Sequence, residues 1–298
     1  MKINRILESP ILTTHIAVFL FGFSGLFGKF FSFSSVYIVL GRTFFASLSL
    51  FIFIFFFKKA KIRPASIKDA FWFALQGLLL AFHWVCFFYS IQLSTVAVGL
   101  LTFSTFPLFV TFLEPAFSKE KLYLTDIILA CLIVTGTFLI IPSLDLSDNI
   151  TKGGLIGVLA GFTFALLALI NRKNAKKIDP FSIALHQNFF ATLFLLIPAF
   201  LVNSPPPGYK DLPLLILLGV VCTALSHSLF IKSLGRIKAQ TVSVITGLEP
   251  VWGIALAVLF FNEIPDLKII VGGMIIITAS IAAGMQKKDT SQSPCKLN

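Results

Sequence analysis

The chain has 298 residues, of which 57% are hydrophobic and only 12% are charged, about half the charged fraction that is typical of soluble domains. Phe alone accounts for 35 residues and the mean hydropathy is +0.94, so an ordinary water-soluble fold is excluded. The formal net charge is +11, and the placement of the basic residues must therefore decide between nucleic-acid binding and a membrane surface.

Long apolar runs divide the chain into segments that approach the roughly 20 residues needed to cross a ~30 Å hydrocarbon layer. Most charged residues lie at the ends of these runs or between them. The runs lack the alternation of polar and apolar residues found in membrane β-barrels. We therefore predict an all-α integral membrane protein with ten transmembrane helices. In chain order, the predicted spans are residues 12–31, 36–57, 70–91, 96–117, 125–141, 153–171, 181–202, 212–234, 239–261 and 268–285.

The basic residues are distributed unequally between the two sides of these spans. If the N-terminus is cytoplasmic, the inner loops and tails hold nineteen Lys and Arg residues, whereas the outer side holds only Lys29, Lys152, Lys210 and Lys268. This excess is the positive-inside pattern of membrane proteins, and it predicts that both termini are cytoplasmic. The positive net charge is therefore explained by the orientation of the protein in the lipid bilayer, and no nucleic-acid partner is predicted.

The cysteines and the C-terminal segment carry little information about function. Cys86, Cys131, Cys222 and Cys295 form no CxxC pair and no metal-ligand spacing, so we predict no disulfide framework, no metal site and no cofactor. The first apolar run lacks a small-residue cleavage site and is expected to be retained as a span. The polar residues 286–298 are predicted to be a disordered cytoplasmic tail.

The chain contains an internal repeat at an offset of 143 residues. Identities at this offset include Phe87 with Phe230, Ser90 with Ser233, Pro107 with Pro250, and Glu120 with Glu263. Slightly different offsets align residues 22–24 with 161–163 and residues 41–48 with 186–193. Because each half holds an odd number of spans, the second half must be inverted. We predict repeats over residues 12–142 and 153–285, a geometry that permits alternating access.

The two halves resemble the paired EamA domains of the drug/metabolite transporter (DMT) superfamily over nearly the whole chain. The resemblance is carried by the helix of Arg42, the proline-centred fourth and ninth spans, the glutamates Glu120 and Glu263 that close those spans, and the segment GLEPVWGIALAVLFFNE at residues 247–263. It implies a ten-helix permease with a central cavity lined mainly by spans 1, 3, 4, 6, 8 and 9. It also implies peripheral fifth and tenth helices, which leaves a homodimer open as an alternative to a monomer.

Glu249 is the outstanding ionisable residue, because it lies near the middle of the ninth predicted span. A charge at such depth costs ~2.5–3.5 kcal/mol on insertion scales, and ionisable residues there tend to mark pathways or relays. Pro250 removes a backbone donor and leaves the carbonyl of Thr246 without its helical partner. We therefore predict Glu249 and Thr246 as substrate-binding residues.

A carboxylate beside such backbone suits a cation, an ammonium group or a transferred proton. Burial of Glu249 favours its protonated form, so protons are the coupling ion that we predict for a coupled carrier. The alternative is that a neutral Glu249 bonds to a neighbouring helix and only stabilises the bundle.

Polar and aromatic residues at helical spacing indicate a cavity wall on the third and eighth spans. Gln76, His83 and Ser90 recur at intervals of seven and share one helix face, which Trp84 flanks. The repeat places His227 in correspondence with Trp84. Aromatic walls with a few polar groups are typical of substrate sites, and aromatic faces attract cations.

We therefore predict substrate binding by a set of residues that combines these aromatic and polar groups: His83, Trp84, His227, Gln76, Ser24 and Trp252. For each aromatic residue, packing against lipid or in the core is the alternative.

Other polar and helix-breaking residues receive structural interpretations. Arg42 lies about two turns from the outer surface, where we expect it to snorkel or to bond carbonyls, with anion binding as the alternative. Glu114 is expected to form an interfacial ion pair with nearby lysines. Pro107 and Pro250 are predicted to be conformational residues, whose kinks let the two halves rock, with static kinks as the alternative.

The motifs of the main competing functions are missing from the sequence. It contains no HExxH, no GxSxG, no Asp-rich box and no Walker loop, so we predict no catalytic residue, no enzyme and no ATP-driven transport. The predicted function is secondary transport of a small metabolite, an amino acid or related zwitterion or organic cation, across the bacterial inner membrane. Two alternatives stay open: an uptake carrier for choline, S-adenosylmethionine or a nucleoside, and a multi-pass membrane enzyme or lipid-carrier flippase.

Overall fold

The computed structural model describes residues 9–58, 66–118, 124–141, 145–237 and 239–286. Every regular element in these ranges is helical, which agrees with the predicted all-α class, because a helix satisfies its backbone hydrogen bonds internally as lipid requires. The α-helices are α1 (Pro10–Gly25), α2 (Phe27–Phe30), α3 (Ser35–Phe53), α4 (Ile67–Leu93), α5 (Val96–Phe103), α6 (Phe106–Ser118), α7 (Leu124–Ile140), α8 (Asn149–Asn174), α9 (Pro180–Leu201), α10 (Leu212–Gly219), α11 (Ser226–Leu234), α12 (Ala239–Thr246), α13 (Glu249–Phe261) and α14 (Leu267–Gln286).

Within the described ranges, seven helical segments are long and apolar enough to cross a membrane. They are Pro10–Phe30, Ser35–Lys58, Ile67–Leu93, Val96–Pro115, Asn149–Asn174, Pro180–Leu201 and Tyr209–Leu234. The apolar helices Ile127–Ile140, Glu249–Phe261 and Leu267–Ala279 are shorter over the described residues. The protein is thus a multi-pass membrane protein, while the count of ten spans and the cytoplasmic placement of the termini stay predictions. The predicted tail falls outside the described residues except for Gln286, at which α14 ends.

Several of the predicted spans are interrupted rather than continuous. The fourth breaks between α5 and α6, and the ninth breaks between α12 and α13. Pro107 and Pro250 each occupy the second position of the helix that follows the break, where the missing N–H of proline costs no helical hydrogen bond. In the eighth span, α10 continues into a π-helical segment, Val220–Leu225, before α11 begins. The two proline breaks coincide under the 143-residue repeat.

Polar caps set the starts of several helices. Thr95 Oγ1 accepts from the backbone N–H of Val98 at 3.1 Å, and Asp148 Oδ2 accepts from that of Thr151 at 2.8 Å. The amide and then the hydroxyl of Thr151 hold the pKa of Asp148 below its ordinary value, because both donate to the ionised carboxylate. The starts of α5 and α8 are therefore determined locally by the sequence.

The helices pack around a core formed mainly by α1, α4, α5, α8 and α11. Helix α4 lies against α8 and α9, α1 lies against α11 and α13, and α3 lies against α9. Helices α7 and α14 pack on one another. They approach closely at two glycines, since a Cβ on Gly136 would lie 2.8 Å from the carbonyl oxygen of Gly272. The fifth and tenth predicted spans thus pair with each other.

Glycines along one face of α8 permit its close contact with α4 and α5. A Cβ on Gly153 would lie 2.6 Å from Ser94 Cβ, and one on Gly161 would lie 2.8 Å from the carbonyl oxygen of Phe103. A Cβ on Gly157 would overlap Thr102 Oγ1, which is itself bonded to the carbonyl of Val98. Small residues at such positions let membrane helices approach.

We expect Gly157→Val to lower the unfolding free energy by about 1–3 kcal/mol, because the added side chain must push α8 away from α5. Thermal unfolding of the purified protein in detergent measures the loss. Gly208→Val is the matched control, since Gly208 lies in a loop with extended backbone, where an added Cβ would lie 3.5 Å from its nearest neighbour, Asp211 Oδ2. Equal melting temperatures for the two variants would show that the contact between α5 and α8 tolerates separation.

Candidate functional site

A small cavity of about 20 Å³ lies between the central helices, which is space for about one water molecule in this conformation. Its wall combines aromatic rings with a few polar and charged groups: Phe21, Ser24, Arg42, His83, Trp84, Phe87, Phe103, Phe164, His227 and Glu249. These residues come from α1, α3, α4, α5, α8, α11 and α13. The wall therefore includes the second predicted span, which contributes Arg42, in addition to the spans that the resemblance implied.

Arg42 lies in the cavity wall, and the expectation that it snorkels to the outer surface is wrong. Its side chain is 1% exposed, and its guanidinium carbon lies 3.8 Å from the centroid of the Trp84 ring. Nε donates to Thr223 Oγ1 at 3.0 Å, while Thr223 itself donates to the carbonyl of Leu218 at 2.7 Å. The π-helical segment that contains Thr223 therefore supplies a polar partner inside the bundle, so Arg42 has no need to reach the interface.

Glu249 is the first residue of α13. It follows the helix break, and its side chain faces the cavity. The side chain is 3% exposed and lines the cavity wall. Among the described residues, its carboxylate forms no hydrogen bond, and no Arg42 nitrogen lies within 4.0 Å of it. Its position at the N-terminus of α13 is electrostatically favourable for a negative charge. Glu249 is thus a carboxyl group available to a ligand.

Two glycines position Glu249 relative to α1. A Cβ on Gly22 would lie 2.8 Å from the carbonyl oxygen of Glu249 and 2.9 Å from the backbone nitrogen of Gly253. A Cβ on Gly253 would in turn lie 3.1 Å from the carbonyl oxygen of Gly22. The backbones of α1 and α13 therefore cross in direct contact, which places Glu249 beside Ser24 in the same cavity.

Both cavity histidines already use one ring nitrogen. His83 Nδ1 donates to the carbonyl of Ala160 at 2.9 Å, and its ring stacks on Phe164. His227 Nε2 lies 2.9 Å from Gln187 Oε1, and its ring meets Trp84 edge-on. In a neutral imidazole, the second nitrogen is left as an acceptor. These contacts orient both rings and leave each with one acceptor nitrogen.

A buried chain of amides extends from His227 away from the cavity. Gln187 Nε2 donates to Gln76 Oε1 at 2.7 Å and to Asn171 Oδ1 at 2.5 Å. Asn174 Nδ2 donates to the same Gln76 oxygen at 3.3 Å. The chain ties α4, α8, α9 and α11 together and ends near the last turn of α8. Gln76, predicted to bind substrate, belongs to this chain and not to the cavity wall.

The model of the EamA-like transporter family matches residues 9–141 and 151–285. The chain belongs to the EamA-like transporter family. The resemblance to the DMT superfamily is thereby confirmed, and the protein is a membrane transporter of that type.

Several EamA relatives are similar over most of the chain. An S-adenosylmethionine uptake transporter of Rickettsia bellii is 28% identical, over 80% of this chain and 80% of its own length. The pseudopaline exporter CntI of Pseudomonas aeruginosa is 24% identical, over 72% and 75%. The threonine/homoserine exporter RhtA of Salmonella typhimurium is 26% identical, over 73% and 72%. A solved structure aligns with a TM-score of 0.70 at 13% identity, covering 96% of this chain and 99% of its own, which shows the fold alone.

The remaining predicted substrate-binding residues of this EamA protein are divided between the cavity and other locations. Ser24 lines the cavity together with His83, Trp84, His227 and Glu249. Thr246 ends α12 and bonds back to the carbonyl of Val242 at 2.9 Å, outside the cavity wall. Trp252 is 43% exposed and packs edge-on against Phe19. It lies off the buried face of α13, which is formed by Glu249, Pro250, Gly253 and Ala257, and so it faces outward.

Glu114 forms an ion pair with Arg172. Its side chain is fully buried between α6 and α8. Lys119 and Lys121 lie outside the described residues. Glu114 and Arg172 are 58 positions apart in sequence, so only the packing of α6 on α8 brings them together.

The charged and polar groups of the cavity differ from those of a metal site. Within the described ranges, no three His, Cys, Asp or Glu side chains come together as metal ligands would. The cavity instead presents one guanidinium, one carboxyl group and two imidazoles among aromatic rings. Such an arrangement can bind a small molecule that carries charges of both signs.

Proposed function

We propose that this protein is a secondary carrier that moves an amino acid or related zwitterion or organic cation across a bacterial inner membrane. The observation that carries the proposal is Glu249, a buried carboxyl group that faces the cavity without a hydrogen bond among the described residues. An ammonium, sulfonium or quaternary ammonium group is the natural partner for such a carboxylate, and the aromatic rings around it favour cations further. The substrate thus binds where the two halves meet.

The helix breaks support an alternating-access mechanism. The breaks before Pro107 and Pro250 are related by the repeat, and both adjoin the cavity, because Phe103 ends α5 and Glu249 begins α13. Broken helices at the binding site are common in secondary transporters. Rocking of the halves about these breaks would open the cavity first to one side and then to the other. Glu249 couples this movement to protons if its carboxyl group holds either a proton or the cationic group of the substrate.

The named relatives support this substrate class. S-adenosylmethionine, threonine and homoserine each carry a cationic group. Relatives that are named as transporters of these compounds are similar to most of this chain. Uptake of S-adenosylmethionine is the second candidate, favoured by the relative from Rickettsia bellii. The relatives include both uptake transporters and exporters. The direction of transport therefore has to be measured.

The proposed function is tested with the full chain reconstituted in liposomes. Radiolabelled amino acids, S-adenosylmethionine, choline and nucleosides are presented in turn, with protein-free liposomes as the background. Saturable flux of a zwitterion or organic cation is the expected result. Flux confined to nucleosides or to compounds without a cationic group would reject the proposed substrate class.

The two tryptophans predicted to bind substrate provide a matched pair of variants. We expect Trp84→Leu to raise the apparent KM for the transported compound about tenfold, because Trp84 forms the cavity wall and the platform of Arg42. Trp252→Leu removes a ring of equal size on the outward face and should leave KM unchanged. Both KM values are measured in the liposome assay. An equal effect of the two substitutions would contradict the placement of the binding site in this cavity.

A further inference from the structure

We propose that Arg42 binds a carboxylate group of the transported molecule, so that the substrate is an amino-acid-type zwitterion and not a simple cation. This inference rests on the proposed function and deepens it. It starts from the guanidinium itself, which carries five N–H donors in a planar fork. Among the described residues, Arg42 makes one hydrogen bond, from Nε to Thr223, and its Nη1 atom is buried without a partner.

An unsatisfied guanidinium is costly in a bundle interior. Leaving a buried charged donor without a partner costs more than leaving a neutral donor unpaired. Yet Trp84 and Thr223 hold Arg42 in place at the cavity wall. A ligand that accepts hydrogen bonds at this position would recover the missing interactions. Arg is suited to this role because its fork matches the two oxygens of a carboxylate.

The charge balance of the cavity favours a zwitterion. Arg42 and Glu249 are the charged side chains that line it, and they lie more than 4.0 Å apart at their nitrogen and oxygen atoms. A ligand with both a cationic group and a carboxylate can pair with both residues and leave the site neutral. A simple cation would leave Arg42 without an acceptor, and a phosphate dianion would add a net negative charge beside Glu249. Unpaired buried charges of either kind are unfavourable.

The competing interpretation is that Arg42 serves only as a counter-ion for Glu249. That role would need no free N–H groups and would not distinguish ligands by their acid group. The two interpretations therefore differ in ligand selectivity, which can be measured without knowledge of the physiological substrate.

The test uses ligand pairs in which only one member carries a carboxylate. The pairs are glycine betaine with choline, which has a hydroxymethyl group in its place, S-adenosylmethionine with its decarboxylated form, and threonine with the corresponding amine. Binding to the full-length purified protein is measured by isothermal titration and by the shift in melting temperature. We expect the wild type to bind the acid member of a pair at least about tenfold more tightly, the effect of a charge-assisted hydrogen bond. Arg42→Gln should remove this preference by weakening the acid and leaving the amine little changed.

Arg42→Lys and Trp252→Leu complete the experiment. Arg42→Lys keeps the positive charge and should retain part of the preference, which separates ligand recognition from a defect in folding. Trp252→Leu should retain the full preference for the acid member of each pair. Equal binding of acids and amines by the wild type, or an undiminished preference in Arg42→Gln, overturns the inference.

Failure of the inference is distinguishable from failure of the proposed function. If choline and the other amines are bound and carried as well as the acids, the carrier function stands and the carboxylate site is rejected. If neither member of any pair binds or moves, both the site and the proposed substrate class are rejected.

Discussion

Glu249→Gln is expected to abolish substrate-driven proton movement while substrate binding remains measurable. The amide has nearly the shape of the carboxyl group, so the cavity keeps its form, but it cannot take up and release a proton. It also lacks the negative charge that pairs with the cationic group of the substrate, so we expect affinity to fall about tenfold. A pH-sensitive dye inside liposomes reports proton movement, and titration of the purified variant reports binding.

Glu249→Asp is the matched control for this experiment. It keeps an ionisable group in the cavity at a shorter reach and should retain part of the coupling. Unchanged proton movement in Glu249→Gln would show that Glu249 is structural, as the alternative interpretation of its position holds. Loss of folding in the Gln variant but not in the Asp variant would point to the same structural role, and thermal unfolding of both variants tests it.

Arg172→Ala is expected to destabilise the protein by about 1.5–3 kcal/mol, because it removes a charged hydrogen-bond donor from the buried carboxylate of Glu114. The Glu114 side chain is fully buried, and Arg172 reaches it from α8 at the contact with α6. The loss of unfolding free energy is measured by denaturant titration in detergent. The yield of monodisperse protein after purification should fall in parallel.

A double variant and a second ion pair serve as controls for this prediction. Glu114→Gln combined with Arg172→Gln removes both charges and should recover most of the lost stability. Lys58→Ala breaks the pair between Lys58 and Asp179, whose side chains are both 33% exposed. An exposed pair contributes only about 0–1 kcal/mol. A larger loss in Lys58→Ala than in Arg172→Ala would reject burial as the source of the effect.

The polar chain beside the cavity joins α4 of the first repeat to α8, α9 and α11 of the second repeat. His227 at the cavity is bonded to Gln187, which is bonded in turn to Gln76 and Asn171. Because these amides are buried, separating the helices would leave them without partners.

The sequence by itself determined the features that depend on local composition. Apolar runs separated by charges determined the helical membrane class, and the 143-residue repeat determined the mirrored positions of Pro107 and Pro250. Depth within an apolar run was enough to single out Glu249, because a carboxyl group there is costly wherever the neighbouring helices lie. Periodicity likewise placed His83 and Trp84 on the face of α4 that lines the cavity.

Only the tertiary structure decided which helix faces meet. Arg42 and Thr223 are 181 positions apart, and Gln76 and Gln187 are 111 apart. No periodicity within one helix reveals such pairs. For this reason the sequence alone places Arg42 at the interface and Gln76 and Trp252 at the cavity, although the alignment of Arg42 with Gln187 in the repeat is a signal that both face the interior. The sequence shows how far along a helix each residue lies. The residue that it contacts on another helix depends on packing between helices that are distant in the chain.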